Sequence, residues 1–116
     1  SAASDVYKRQ FITSVGTWWG VENVADKNGD IRAQSADIDV VALSDIDKMA
    51  VIGECKFKNE KIDKGIYDTL IRRGKLITAK YKISKYIFFS LSGYTDWFET
   101  LSDENVLLLT LDSLYE

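Results

Sequence analysis

Two apolar runs, ADIDVVAL (residues 36–43) and MAVIGECKF (residues 49–57), stand on either side of the short polar segment SDIDK. Both runs are rich in β-branched residues, and the segment between them is too short for anything but a tight reversal. The pair therefore predicts an antiparallel hairpin. If Asp45 to Lys48 form a four-residue loop, Ser44 lies opposite Met49. The same register puts Asp39 opposite Glu54 and Asp37 opposite Lys56. Strand side chains alternate, so these four charged residues are expected on one face. Asp37–Lys56 reads as an ordinary cross-strand ion pair. Asp39–Glu54 does not, because like charges directly opposite destabilise a sheet. Such a pair calls for positive charge between its members, from Lys56 or from a divalent cation. A β-bulge near the pair would shift the register by one.

Two carboxylates and a main-chain carbonyl suit Mg²⁺ or Mn²⁺, hard cations that prefer oxygen ligands. A cation there can polarise a phosphate oxygen, with a nearby lysine steadying developing charge. A salt-bridged polar patch at a strand end accounts for the same residues without chemistry. The 116-residue chain contains no histidine, which excludes His-based acid–base catalysis and the common zinc ligand sets. Its one cysteine, Cys55, excludes an internal disulfide and fits a cytoplasmic location. Nothing approaches the length of a membrane span, so no membrane partner is expected. With 46% hydrophobic and 28% charged residues, the chain reads as a single globular domain over residues 1–116.

Around the hairpin, residues 5–14 suit a short helix carrying Val6, Phe11 and Ile12, and GTWWGVE a first strand. Asn28-Gly29 marks a turn. Apolar positions at helical spacing predict a helix from Asp63 to about Tyr81. YIFFSLS follows as a buried strand, TDWFETL as a short helix and VLLLTL as a last strand. The resulting order, α-β-β-β-α-β-α-β, describes an α/β domain with a mixed sheet. Phe88, Phe89, Trp97 and Phe98 are expected in its core. Of the adjacent Trp18 and Trp19, at most one can serve as a stacking surface, because neighbours on a strand point to opposite faces.

Charge is unevenly distributed. The chain is acidic overall, at −3, yet residues 56–85 hold ten basic and three acidic groups. A basic segment in an acidic chain suits a phosphate-bearing partner. Lys58, Arg72 and Lys75 are the candidates to meet one, and a solvated helix face explains the same lysines equally well. There is no Gly-rich phosphate loop, so this chain is not expected to hydrolyse ATP.

Asp39 followed by Glu54-Cys55-Lys56 resembles the D…(D/E)xK signature of the PD-(D/E)xK nuclease superfamily, the restriction-endonuclease-like fold. Together with GTWWG, ADIDVVAL, VIGECKFKNEKID, YIFFSLSGYT and NVLLLTLDSLYE, it resembles the DUF234 domain found at the C-terminus of archaeal-type ATPases, over about Phe11 to Glu116. The resemblance implies an αβββαβ core whose mixed sheet is flanked by helices. It also implies a nuclease activity on nucleic acid, expected to be DNA, and an ATPase module upstream in the same protein. Carried over, Asp39 and Glu54 become metal-binding carboxylates and Lys56 the catalytic lysine. The Cys55 main-chain carbonyl becomes a third ligand, and Asp37 a partner of Lys56 just behind them. Ile38 stands where the signature's name has proline. The acidic residue that many superfamily members carry on the first helix has no secure counterpart in Asp5 or Gln10. The opening SAASDVYKRQ looks like a translated adaptor remnant, so residues 1–10 are read as non-native. A nuclease-fold module that binds DNA or regulates the ATPase without cutting is the competing expectation.

Overall fold

The computed structural model describes residues 14–114. Five strands form one sheet in the order β1-β2-β3-β4-β5. They are β1 (Ser14–Ala25), β2 (Ile31–Ser44), β3 (Met49–Lys56), β4 (Lys82–Ser90) and β5 (Val106–Thr110), and among the described residues one α-helix, α1 (Lys64–Gly74), lies between β3 and β4. β1, β2 and β3 run antiparallel, and β3, β4 and β5 run parallel. Reversing direction needs only a hairpin, whereas the parallel β3–β4 step needs the helical crossover. The class is therefore α/β with a mixed sheet, as expected.

Among the described residues the expected flanking helices are sparse. The segment TDWFETL makes a 3₁₀ turn at Asp96–Thr100 rather than an α-helix. The helix assigned to residues 5–14 lies outside the described residues, apart from Ser14, which begins β1. α1 starts where Asp63 caps it, its carboxylate accepting the Ile66 N–H at 3.0 Å. It stops at Gly74, seven residues short of Tyr81. Beyond Gly74 the amides of Lys75, Leu76 and Ile77 bond three residues back, which tightens the chain into turns. Gly74 also sits against the sheet, where a Cβ would come within 2.8 Å of Ile83 Cδ1 and 3.0 Å of Ile52 Cδ1.

The core lies between α1 and one face of the sheet. Ile38, Val41, Ile52, Leu70 and Phe88 are buried there with Ile62 and Phe98. Trp97 packs against this cluster, while Phe89 takes the opposite face and meets the exposed Phe57 at 5.6 Å between ring centroids. Trp18 joins the core and Trp19 stands 74% exposed, as strand alternation requires. The Asn28-Gly29 turn forms with Gly29 at φ +82°, and the Asp26 carboxylate accepts the amides of Asn28 and Asp30.

Candidate active site

The β2–β3 ladder runs from Ser44↔Met49 to Val40↔Gly53, in the register expected from the four-residue loop. It stops one pair before Asp39 and Glu54. The cause lies on the other side of β2. Gly16 pairs with Val41 and Trp18 with Ile38, so Thr17 alone faces both Asp39 and Val40. That is a β-bulge with its extra residue at the candidate ligand. Thr17 Oγ1 fastens it by donating to the Asp39 carbonyl at 3.0 Å.

Beyond the bulge β2 and β3 form a fork, in which side chains replace the backbone ladder. Asp39 Oδ2 accepts the Cys55 N–H at 2.9 Å. Glu54, two residues beyond the buried Ile52 on β3, is pushed up from 4.5 to about 7. Burial is the main cause, followed by the Asp39 charge, a hydrogen bond shared with Asp39 and the Asp37 charge, against a lowering pull from Arg73. Asp39 and Glu54 are thus close enough to interact, although no ladder pair joins them.

The other charged residues arrange themselves differently from the simple alternating face. Asp37 turns to Arg73, whose Nη1 lies 3.0 Å from the Asp37 carbonyl and 3.4 Å from its Oδ1. Lys56 lies 3.7 Å from Glu60 instead of pairing with Asp37, and its side chain is 26% exposed. The Cys55 thiol is half-buried against Val40, Ile87 and Phe89, a packing position where burial pushes its pKa up. Its N–H faces β2; in a strand the carbonyl of the same residue faces the same neighbour, here across the fork. Lys58 and Lys75 are exposed. Arg72 is engaged elsewhere, its Nε and Nη2 donating to the two Glu22 carboxylate oxygens at 3.0 and 3.1 Å.

Glu22 is a residue that motif reading passes over. It is 3% exposed and also accepts from Gln34 Nε2 at 2.8 Å. The Arg72 hydrogen bond chiefly, then Gln34 and the charges of both arginines, hold it down at about 2 despite burial. Its signal lay in the alternation: Glu22 shares the inward side of β1 with Trp18 and Gly20, and an inward carboxylate needs a cation.

Among the described residues no group of three or more His, Cys, Asp or Glu side chains is gathered for a metal. What the fork offers is two carboxylates in mutual repulsion and main-chain oxygen, a donor set that fits a hard divalent cation.

Comparison with known proteins bears on the part of the chain that builds this fork. Residues 3–66 match the model of DUF234, described as archaeal and bacterial proteins of unknown function. The chain belongs to the DUF234 family. The match is shorter than the Phe11-to-Glu116 span that the sequence suggested, and it contains β1, β2, β3 and all of Asp37, Asp39, Glu54 and Lys56. No curated protein and no solved structure matches the chain.

Proposed function

We propose that this DUF234 domain is a metal-dependent nuclease of the PD-(D/E)xK type, normally attached to an ATPase module. The observation that supports it best is the meeting of Asp39 and Glu54 at the fork, with Glu54 pushed up to about 7 by burial and by the second carboxylate. Two carboxylates kept this close, with Arg73 engaged by Glu22 and Asp37, suit a site that receives a cation. Asp39, Glu54 and the Cys55 carbonyl would hold Mg²⁺ or Mn²⁺. The cation would supply Lewis-acid charge to a phosphodiester oxygen. Lys56 sits two residues along β3 from Glu54, so its amine reaches the same end of the sheet. There it balances negative charge that builds on the phosphate, once it exchanges the exposed Glu60 for substrate. Asp37 keeps Arg73 at the edge of the fork, and exposed Lys58 and Lys75 meet the nucleic-acid backbone.

One observation favours the second reading, a nuclease-fold module that binds DNA or regulates the ATPase without cutting. The Asp39 carboxylate already serves the backbone by accepting from Cys55. Plasmid nicking with Mg²⁺ or Mn²⁺ separates the two. In the enzyme, Lys56→Ala loses cutting while its metal-induced stabilisation persists. Metal binding with no cutting by the ATPase-linked protein would establish the module.

A further inference from the structure

The hairpin register alone would carry the β2–β3 ladder on past Val40↔Gly53, through Asp39, to Asp37 and Lys56. In the structure two main-chain groups beyond the ladder's end are taken by side chains instead. The Cys55 N–H goes to Asp39 Oδ2 at 2.9 Å, and the Asp37 carbonyl goes to Arg73 Nη1 at 3.0 Å. Arg73 is itself held. Its Nε lies 3.4 Å from Glu22 Oε1, and Glu22 is buried and gripped by Arg72 and Gln34 as well. The Arg73 side chain is 18% exposed, so it is packed between the helix and the strands. Its planar fork of donors serves a carboxylate on β1 and a carbonyl on β2 at once, which a single lysine nitrogen cannot do in the same geometry.

We infer that Arg73 is a positioning residue for the site. By holding the Asp37 carbonyl it fixes the β2 arm of the fork, so that the bulged Asp39 keeps its carboxylate on the Cys55 amide and close to Glu54. The chain of support runs from Glu22 on β1 through Arg73 on α1 to Asp37, two residues from Asp39. Thr17 secures the same bulge from the other side. The consequence for metal binding rests on the nuclease reading; the consequence for the Cys55 amide does not.

The test therefore reads both in the same protein. Arg73→Met and Arg73→Lys are compared with the parent by amide hydrogen exchange and by Mg²⁺ and Mn²⁺ titration. Leu70→Val serves as the control, because it loosens the same helix from within the core without touching Asp37. In Arg73→Met the Cys55 amide should shift its resonance and lose protection on the order of tenfold relative to the mid-strand amides of β3, the scale of one backbone hydrogen bond. Metal affinity should fall about tenfold or more, as for other groups that orient ligands from behind. Arg73→Lys keeps the charge and should still lose Cys55 protection, and it decides the matter if Arg73→Met does not fold. A parental Cys55 amide in Arg73→Lys overturns the inference, as does a Leu70→Val that reproduces the loss. If the parent takes up neither cation while the Cys55 amide still responds to Arg73, the nuclease reading falls and the positioning role stands.

Discussion

With no histidine in the chain, no side chain has an ordinary pKa between pH 5 and 8, so a proton that titrates there is conspicuous. Glu54 supplies one, its carboxyl pushed up from 4.5 to about 7 by burial and by Asp39. Between those two values the folded domain keeps a proton that the unfolded chain has lost. Metal-free stability is therefore full, as far as Glu54 is concerned, below pH 4.5, falls as pH rises, and stays reduced above about 7. At roughly 1.4 kcal/mol per pH unit the gap corresponds to about 3 kcal/mol. Glu54 is only partly buried, so solvent screening reduces the expected loss to about 1–2 kcal/mol. Glu22 acts in a separate window with the opposite sign, its contribution lost only as pH falls from 4.5 toward about 2. Asp39→Asn removes the neighbouring charge while keeping an oxygen that can accept from Cys55, so the loss above pH 4.5 should shrink without vanishing. Mg²⁺ should stabilise the parent more at pH 7.5 than at pH 5, because it competes with the proton for Glu54. Urea unfolding from pH 4 to 8 on both proteins, in EDTA for the metal-free profile and in Mg²⁺ for the metal response, measures this directly. A parent profile flat from pH 4.5 to 7, or one identical in Asp39→Asn, would refute the coupling of these two carboxylates.

Three further outcomes can be checked on the same material. Glu22→Gln leaves the half-exposed Arg72 and the partly exposed Arg73 facing a neutral amide; it should cost about 2 kcal/mol in chemical denaturation and remove the acid-side decline due to Glu22. Gly20→Ala should cost about 1–3 kcal/mol and lower the thermal midpoint, since a Cβ there would run into the Trp18 indole and displace it from the core. The double reversal Lys58→Glu, Lys75→Glu should weaken DNA binding and flatten its salt dependence with no change in the far-ultraviolet spectrum, and an unaltered salt slope would return both lysines to solvent.

The regular parts of the fold were legible because each rests on a local rule. Ser44↔Met49 follows from a four-residue loop, the buried Ile38, Ile52 and Phe88 from apolar runs, and the α1 start from Asp63 ahead of a helical stripe. The helix end was misjudged because Ile77 and Tyr81 continue the apolar stripe. Ile77 does so from a turn, packed against the core, whereas Tyr81 lies just past the turns and donates its hydroxyl to Asp45. The TDWFETL segment likewise satisfies its aromatic packing in a 3₁₀ turn, with Trp97 and Phe98 4.9 Å apart between ring centroids.

The placement of the candidate site residues was only partly legible, and the bulge explains the difference. Alternation put Asp37, Asp39, Glu54 and Lys56 on one face, which holds only for an uninterrupted ladder. One extra residue opposite Thr17 ends the ladder, sends Asp37 to Arg73 and leaves Lys56 to Glu60. No local pattern announces that bulge, because its cost is met far away in sequence: Arg73 is 36 residues from Asp37 and 51 from Glu22. Local rules fail most often where a fold holds groups apart for a purpose. Had β2 and β3 simply zipped together, Asp37 and Lys56 would have neutralised each other in a ladder pair, and the Cys55 N–H would not need the Asp39 carboxylate. The fork costs at least one ladder pair, and keeps two carboxylates side by side, with a cation of the protein's own stationed at Asp37 and within electrostatic reach of Glu54.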